Sequence, residues 1–208
     1  MQELLDKKQY FLDFGMNEEA FESLKSYAEL LWAANQELNL FSRKMPAKDL
    51  VENHLLDCAL AFPEFLKQDF QVLADFGSGG GMPSVLLAIM FKDKEVRIFE
   101  KSPKKRQFLK SIQSKLCPNL KIFEEVKESE LEGVDLITAR AFKPIDIILK
   151  LSRSYFQASG KYLLYKAKSE SIKKELSDAK LNDNQYKIIS LDNPLLEVER
   201  NLVFISKI

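Results

Sequence analysis

Four glycines fall within the five positions 77–81 of the segment Val72-Leu73-Ala74-Asp75-Phe76-Gly77-Ser78-Gly79-Gly80-Gly81-Met82-Pro83. The apolar run Val72 to Phe76 before them reads as a buried strand, and Ser84 to Phe91 after them reads as a helix. Glycine has no Cβ, so the chain can turn sharply there and a ligand can come close to main-chain atoms. A strand, such a turn and a helix in that order predict a ligand site at the C-terminal end of the strand. A loop that binds nothing is the plainer alternative, and the flanking strand and helix argue against it.

The rest of the chain follows the rhythm this turn sets. After Gln71, strand-like runs at Val96 to Glu100, Leu120 to Glu124, Val134 to Ala139 and Lys161 to Lys166 alternate with helical stretches at Pro103 to Leu116 and Ile145 to Phe156. Such alternation implies right-handed crossovers and a mostly parallel sheet covered on both faces. A helical stretch from Ser169 to Lys180 is followed by Tyr186 to Leu191 and Asn201 to Lys207, which have no helix between them and predict a terminal antiparallel hairpin. The expected fold is α/β: a seven-stranded, mostly parallel, Rossmann-like sheet with that hairpin. Residues 1–70 differ. From Asn17 to Leu38, Phe21, Leu24, Tyr27, Leu30, Leu31, Ala34 and Leu38 recur at helical spacing, and Ala47 to Phe62 carries a second apolar face with Leu50, Val51, His54, Leu55 and Cys58. We therefore expect an N-terminal helical extension over 1–70 and a catalytic domain over 71–208, forming one compact unit.

The turn resembles a phosphate-cradling loop, but the charges around it point elsewhere. Glu100 ends the next strand about 20 positions on, where a carboxylate can accept hydrogen bonds from both ribose hydroxyls of an adenosine-type cofactor; an ordinary solvated glutamate is the alternative. Asp75 lies on the strand just before the glycines. Its charge repels a pyrophosphate and attracts a cationic amino-acid end. An acid, a glycine turn spaced GxGxG through Gly77, Gly79 and Gly81, and a second acid together predict S-adenosylmethionine as cofactor.

Composition excludes several other classes. Of the 208 residues, 46% are hydrophobic and 30% charged, with 31 basic residues balanced by 31 acidic ones, as in a soluble protein. The longest apolar run, Val85 to Phe91, falls far short of the roughly 20 residues that span a bilayer. The N-terminus has no signal-peptide pattern. Cys58 and Cys117 form no CxxC pair and His54 is the only histidine, so no metal site is expected. Reduced thiols and a cytoplasmic monomer fit best. Zero net charge means that a polyanion must be held by a local patch, and Lys101, Lys104, Lys105, Arg106 and Lys110 beside the cofactor site form the candidate.

These motifs extend into a resemblance that runs in order over most of the chain. Asp75 to Pro83 with Leu86-Leu87-Ala88-Ile89, then Glu100-Lys101-Ser102, Lys104-Lys105-Arg106 and Phe108-Leu109, resemble the glucose-inhibited division protein B family. So do Asn39-Leu40, His54-Leu55-Leu56-Asp57, Arg140-Ala141-Phe142, Tyr165-Lys166 and Glu199-Arg200-Asn201-Leu202-Val203. The resemblance implies a class I methyltransferase domain that uses S-adenosylmethionine to methylate N7 of one guanine in 16S ribosomal RNA. It also implies that Gly77, Met82, Lys127, Glu128 and Arg140 contact the cofactor. The chain departs from the family pattern at Ser84 and Ala167, where glycine is usual, at Glu100, where aspartate is commoner, and at Asn201, where histidine is common.

Guanine N7 has a free lone pair and no proton to lose, so no general base is required. Catalysis then consists of positioning N7 near the methyl carbon and excluding water, and Arg140, His54 and Lys166 are the expected positioning residues. Neither cysteine has the placement of a nucleophile for cytosine C5 chemistry, and the Thr138-Ala139-Arg140-Ala141-Phe142 strand end lacks the Asn-Pro-Pro-aromatic element of adenine amine methylation. The basic cluster is expected to meet RNA phosphate, and the guanine must be unstacked before its ring edge can enter a closed pocket. His54 and Asp57 are expected to connect the extension to that pocket, although a purely structural histidine is the alternative. Two other functions remain open: a methyltransferase of a small molecule or protein on the same fold, and a regulatory module that binds the cofactor without turning it over.

Overall fold

The computed structural model describes residues 1–195 and 197–206. Lys207, which the sequence assigns to the last strand, lies outside the described residues. Seven strands, β1 (Val72–Phe76), β2 (Glu95–Phe99), β3 (Leu120–Phe123), β4 (Leu136–Arg140), β5 (Lys161–Lys166), β6 (Tyr186–Ser190) and β7 (Asn201–Ser206), form one sheet in the order β3-β2-β1-β4-β5-β7-β6. Strands β1 to β5 are parallel, whereas β7 runs antiparallel to both β5 and β6. The strand order reverses between β1 and β4. In an open α/β sheet the crevice beyond the carboxyl ends of those two strands is where ligands bind.

Five longer helices frame the sheet: α1 (Glu18–Leu38), α2 (Ser84–Met90), α3 (Pro103–Lys115), α4 (Ile145–Leu151) and α5 (Ser169–Asp178). Asn17 caps α1 by accepting from Ala20 N at 2.8 Å, and Ser102 caps α3 through Lys105 N, as expected for side-chain oxygens at helix starts. Asn39 ends α1 in a left-handed conformation. Among the described residues no helix is long and apolar enough to cross a membrane.

The helical extension shares its core with one face of the sheet. Phe11, Phe21, Leu24 and Leu31 belong to the same buried cluster as Leu73, Val96, Ile98, Leu136 and Leu163. Its periodic apolar stripe therefore faces α2 and α3 rather than a separate core. Two polar contacts complete this packing. Tyr27 Oη, fully buried on α1, donates to the Gly80 carbonyl at 2.9 Å, and Tyr165 Oη on β5 donates to the Cys58 carbonyl at 3.0 Å.

Two segments differ from the sequence reading. The single helix expected from Ala47 to Phe62 is divided: an α turn at Ala47–Leu50, a π-helical turn at Val51–Leu56, an α turn at Asp57–Ala59, and a new helix at Phe62–Leu66. A π turn widens the helix by one residue and commonly marks a functional site. Here it leaves Val51, Leu55 and Cys58 buried while His54 remains half-buried on the other side. The helix expected from Ile145 to Phe156 breaks at Ser152, which is buried and non-helical (φ −122°, ψ 43°) with its Oγ 2.8 Å from Tyr162 Oη. Apolar periodicity continues through both breaks, which is why it does not reveal them.

Replacing Tyr27 with Phe is expected to lower unfolding stability by about 1–2 kcal/mol, because the Gly80 carbonyl loses its buried donor. Urea titration of wild type and Y27F checks this, with an unchanged dependence on denaturant showing that the fold is kept.

Candidate active site

The glycine turn opens at the carboxyl end of β1, and each of its glycines meets a different constraint. Gly77 has φ +78°, and a Cβ there would lie 2.3 Å from Phe142 Cδ2; at Gly81, φ +106°, it would lie 2.5 Å from Val85 Cγ2. At both positions a Cβ would force the neighbouring side chain to move and would strain a positive φ. Gly79 also has a positive φ, +60°, yet nothing lies within 4 Å of its missing Cβ. Open space above a left-handed glycine is the approach route a cofactor needs.

Glu100 is turned toward this loop from the end of β2. Its Oε2 accepts from Gly79 N at 2.9 Å and its Oε1 from Ser102 N at 2.7 Å. A carboxylate has about four lone-pair sites, so two main-chain bonds fix its orientation and leave acceptor capacity for a diol. Glu100, where the family more often has aspartate, is thus anchored to the glycine turn itself.

Asp75 lies underneath the turn and not on its surface. It is fully buried, and neither of its carboxylate oxygens has a hydrogen-bond partner. Ser78 Oγ bonds to the Asp75 carbonyl instead, at 3.2 Å, and the buried Ser84 Oγ is itself unpartnered. Burial pushes the carboxyl pKa up to about 6, against the pull of the nearby Ser78 and Ser84 hydroxyls and of Arg140. The attraction expected between Asp75 and a cationic amino-acid end therefore acts as a field through a poorly polarisable interior. Ser84, a departure from the family pattern, adds a hydroxyl beside that charge.

On the other side of the switch point, a hollow of about 510 Å³ lies beyond the ends of β4, β5 and β7, lined among others by His54, Asp57, Arg140, Phe142, Lys166 and Arg200. The three expected positioning residues, His54 from the extension, Arg140 from the end of β4 and Lys166 from the end of β5, thus line one hollow. Their partners were not foreseen. Arg140 is held by Asp57 (Nη2 to Oδ2, 2.9 Å) and by the Asn53 carbonyl (3.1 Å), so its side chain ties the end of β4 to the extension. Lys166 Nζ donates to Glu175 Oε2 at 2.6 Å and to the Lys143 carbonyl at 3.2 Å. Burial, with Arg140 nearby, holds His54 below its ordinary pKa, and the imidazole is neutral near pH 7.

The remaining sequence-derived residues are less uniform. Glu128 is not brought to the glycine turn: its carboxylate accepts from Ser154 N at 2.9 Å and lines a hollow at the opposite edge, with Asp135 and Lys161 at the starts of β4 and β5. Lys127 is solvent-exposed and 3.7 Å from Glu125. Neither side chain touches the loop, and what the resemblance implies for this pair rests on their main chain alone. Met82 is half-buried at the end of the turn. In the basic cluster, Lys101, Lys104 and Lys110 are exposed and Lys105 is half-buried. Arg106 is the exception: it donates to the Glu100 and Lys101 carbonyls at 2.9 and 2.7 Å and pairs with Glu124 at 3.3 Å. It braces the turn that carries Glu100. Cys58 and Cys117 are buried free thiols, both pushed by burial up to about 12, which makes them inert as nucleophiles. Among the described residues no cluster could hold a metal ion.

Two departures from the family pattern meet in one contact, since Asn201 Nδ2 donates to the Ala167 carbonyl at 2.5 Å. An amide donor at 201 serves the main chain of the residue at 167, tying the end of β5 to the start of β7. Arg200 precedes β7 and donates to Asp57. Its link to Asp57 has no periodic or local signature by which the sequence could announce it.

Comparison with known proteins agrees with this arrangement. The family model for GidB, described as rRNA small subunit methyltransferase G, matches residues 20–203. Ribosomal RNA small subunit methyltransferase G 1 of Bdellovibrio bacteriovorus is 46% identical over 208 residues, covering 99% of this chain and 100% of that protein. The enzyme named ribosomal RNA small subunit methyltransferase G from Brachyspira hyodysenteriae is 35% identical over 196 residues, 92% of this chain and 93% of that one. Among solved structures, precorrin-6y C5,15-methyltransferase of Geobacter metallireducens superposes with a TM-score of 0.53 at 14% identity, covering 80% of this chain and 92% of that one. The ribosomal protein L11 methylase of Lactobacillus delbrueckii gives 0.52 at 15%, covering 75% and 79%. At such identities the superpositions speak for the fold alone.

Two outcomes test this site. Gly77→Ala is expected to weaken cofactor binding at least tenfold, measured by calorimetry, because the new methyl group displaces Phe142 and strains a positive φ. Asp75 predicts two opposite pH trends. Its folded pKa, about 6, lies above the unfolded value of about 3.9, so its contribution to apo-protein stability is fully present below about pH 4 and is lost as pH rises through 6. Cofactor affinity should do the reverse and weaken below pH 6 as the charge disappears. In Asp75→Asn both components should vanish, which paired melting and binding curves from pH 4.5 to 7.5 will show.

Proposed function

We propose that this chain, which belongs to the GidB family of rRNA small subunit methyltransferases G and is an S-adenosylmethionine-dependent enzyme, methylates N7 of a specific guanine in 16S ribosomal RNA, acting as a cytoplasmic monomer. One observation carries the reading: the cofactor turn and the hollow open on the same sheet edge, one on each side of the β1/β4 switch point. A donor laid over Gly79 with its sugar on Glu100 puts its reactive end toward Phe142 and the hollow.

The residues present suit a reaction without proton abstraction. The two carboxylates lining the hollow, Asp57 and Glu175, are both engaged by cations, and neither is available as a base. Displacement at the sulfonium needs none when the nucleophile is a ring nitrogen lone pair, so orientation and the exclusion of water supply the catalysis. Phe142 and Tyr165 offer the unstacked base an apolar lining.

The electrostatics favour RNA over a small molecule. From Lys101 to Phe123 the sequence has seven basic residues and no acidic one, within a chain of zero net charge. Lys104 and Lys105 sit in the first turn of α3, where no acidic side chain is present. Cations at a helix N-terminus oppose the helix dipole, an arrangement that an incoming phosphate relieves.

Incubation with labelled S-adenosylmethionine and, separately, naked 16S rRNA, assembled small subunits or bulk protein tests the reading. Label is expected in RNA, at a guanine that becomes sensitive to borohydride and aniline cleavage. Label in protein alone, or cofactor binding without transfer to any acceptor, would refute it. Glu100→Ala is expected to lose at least tenfold in cofactor affinity and in kcat/KM together, since the ribose acceptor and the anchor of Gly79 disappear in one step.

A further inference from the structure

The hollow carries more positive charge than methylation of a base requires. Arg140, Lys143, Lys166 and Arg200 face only Asp57 and Glu175 among its lining residues, and His54 is neutral near pH 7. Methylated guanine leaves as a cation, which a surplus of cations repels. Such a surplus suits the phosphodiester backbone of the strand that carries the base.

Lys166 is neutralised by Glu175 at 2.6 Å, which leaves Arg140, Arg200 and Lys143 against the one carboxylate of Asp57. That carboxylate is buried, 6% exposed, and shared by two guanidinium groups. Arg140 donates Nη2 and Nε to Oδ2 at 2.9 and 3.2 Å, and Arg200 donates Nε to Oδ1. Arg140 Nη2 also reaches the Asn53 carbonyl, and Arg200 Nη1 the Glu199 carbonyl at 3.0 Å. Arg140 Nη1 and Arg200 Nη2 then remain without a hydrogen bond among the described residues. One carboxylate balances one of the two charges, leaving a net positive fork of two planar guanidinium groups at the wall of the hollow.

We propose that Asp57 is a positioning residue that presents Arg140 and Arg200 together as a seat for one phosphate of the bound RNA strand. This rests on the reading of the chain as an RNA methyltransferase. Guanidinium groups suit such a seat because two of their nitrogens can grip one phosphate at fixed geometry. Without Asp57 the two cations repel each other and lose the common anchor that aims them. The extension thereby takes part in RNA recognition, because Asp57 opens the α turn that follows its π-helical turn, while Arg140 ends β4 and Arg200 precedes β7.

The test is the salt dependence of kcat/KM on the rRNA substrate, between 50 and 200 mM salt, for wild type, Arg200→Gln and Asp57→Asn, with calorimetric cofactor binding measured alongside. Activity of the wild type on rRNA establishes the underlying reading independently of the variants. R200Q is expected to bind cofactor normally, to lose about tenfold in kcat/KM at low salt, and to flatten the logarithmic salt slope by about 0.7, one phosphate contact to a single strand. R200K should recover part of the rate and the slope. A folded R200Q whose salt slope equals that of the wild type overturns the seat, whether or not its rate falls. D57N is expected to flatten the slope as R200Q does while retaining cofactor affinity, and an unchanged slope overturns the positioning role. Should D57N fail to fold, the charge-balanced double variant D57N/R200Q is compared with R200Q: a further flattening supports the role of Asp57, and an identical slope overturns it.

Discussion

A turn with no free room for a Cβ at Gly77 and Gly81 is the constraint on which the other parts depend. Phe142 fills the place of a Cβ at Gly77, and Val85 fills it at Gly81. Both contacts hold the loop against the sheet's carboxyl edge, so that Gly79 N can meet Glu100 at 2.9 Å. Phe142 also belongs to the wall of the hollow. The packing that shapes the glycine turn therefore also forms one side of the hollow.

The extension stabilises the same edge from beneath. Tyr27 donates to the Gly80 carbonyl, Asp57 holds Arg140 and Arg200, and Tyr165 reaches the Cys58 carbonyl. Each is a buried or half-buried polar contact in a largely apolar interface, where an unmade bond costs more than a made one contributes. Such contacts fix one arrangement of the helices against the sheet. Asp57 and Asp75, two buried acids on either side of the switch point, have opposite circumstances: one is shared by two cations, the other has no hydrogen-bond partner.

Much of this was legible along the chain. The glycine spacing and the alternation of short apolar runs with helical stretches identify the fold, and the acid ending the next strand is found bonded to the glycine turn, because strand–turn–helix chemistry is local. The membership of His54, Arg140 and Lys166 in one pocket was expected through the family resemblance, and the structure brings them together. The roles of individual charges were less legible. Arg106 looks like one more cation in a basic run, yet two carbonyls and Glu124 retain it. Glu128 accepts from Ser154 N at the far edge of the sheet.

The sequence by itself determined the order of strands and helices, the glycine turn and the carboxylate that follows it, since backbone freedom and apolar periodicity depend on near neighbours. Only the tertiary structure decided which ions pair, where the π turn at Val51–Leu56 falls, and that Asp75 lies sealed beneath the loop. A charge's partner is set by distance in space and by the polarity of what surrounds it. For Asp57 the partners Arg140 and Arg200 lie 83 and 143 residues further along the chain, separations that no local pattern encodes.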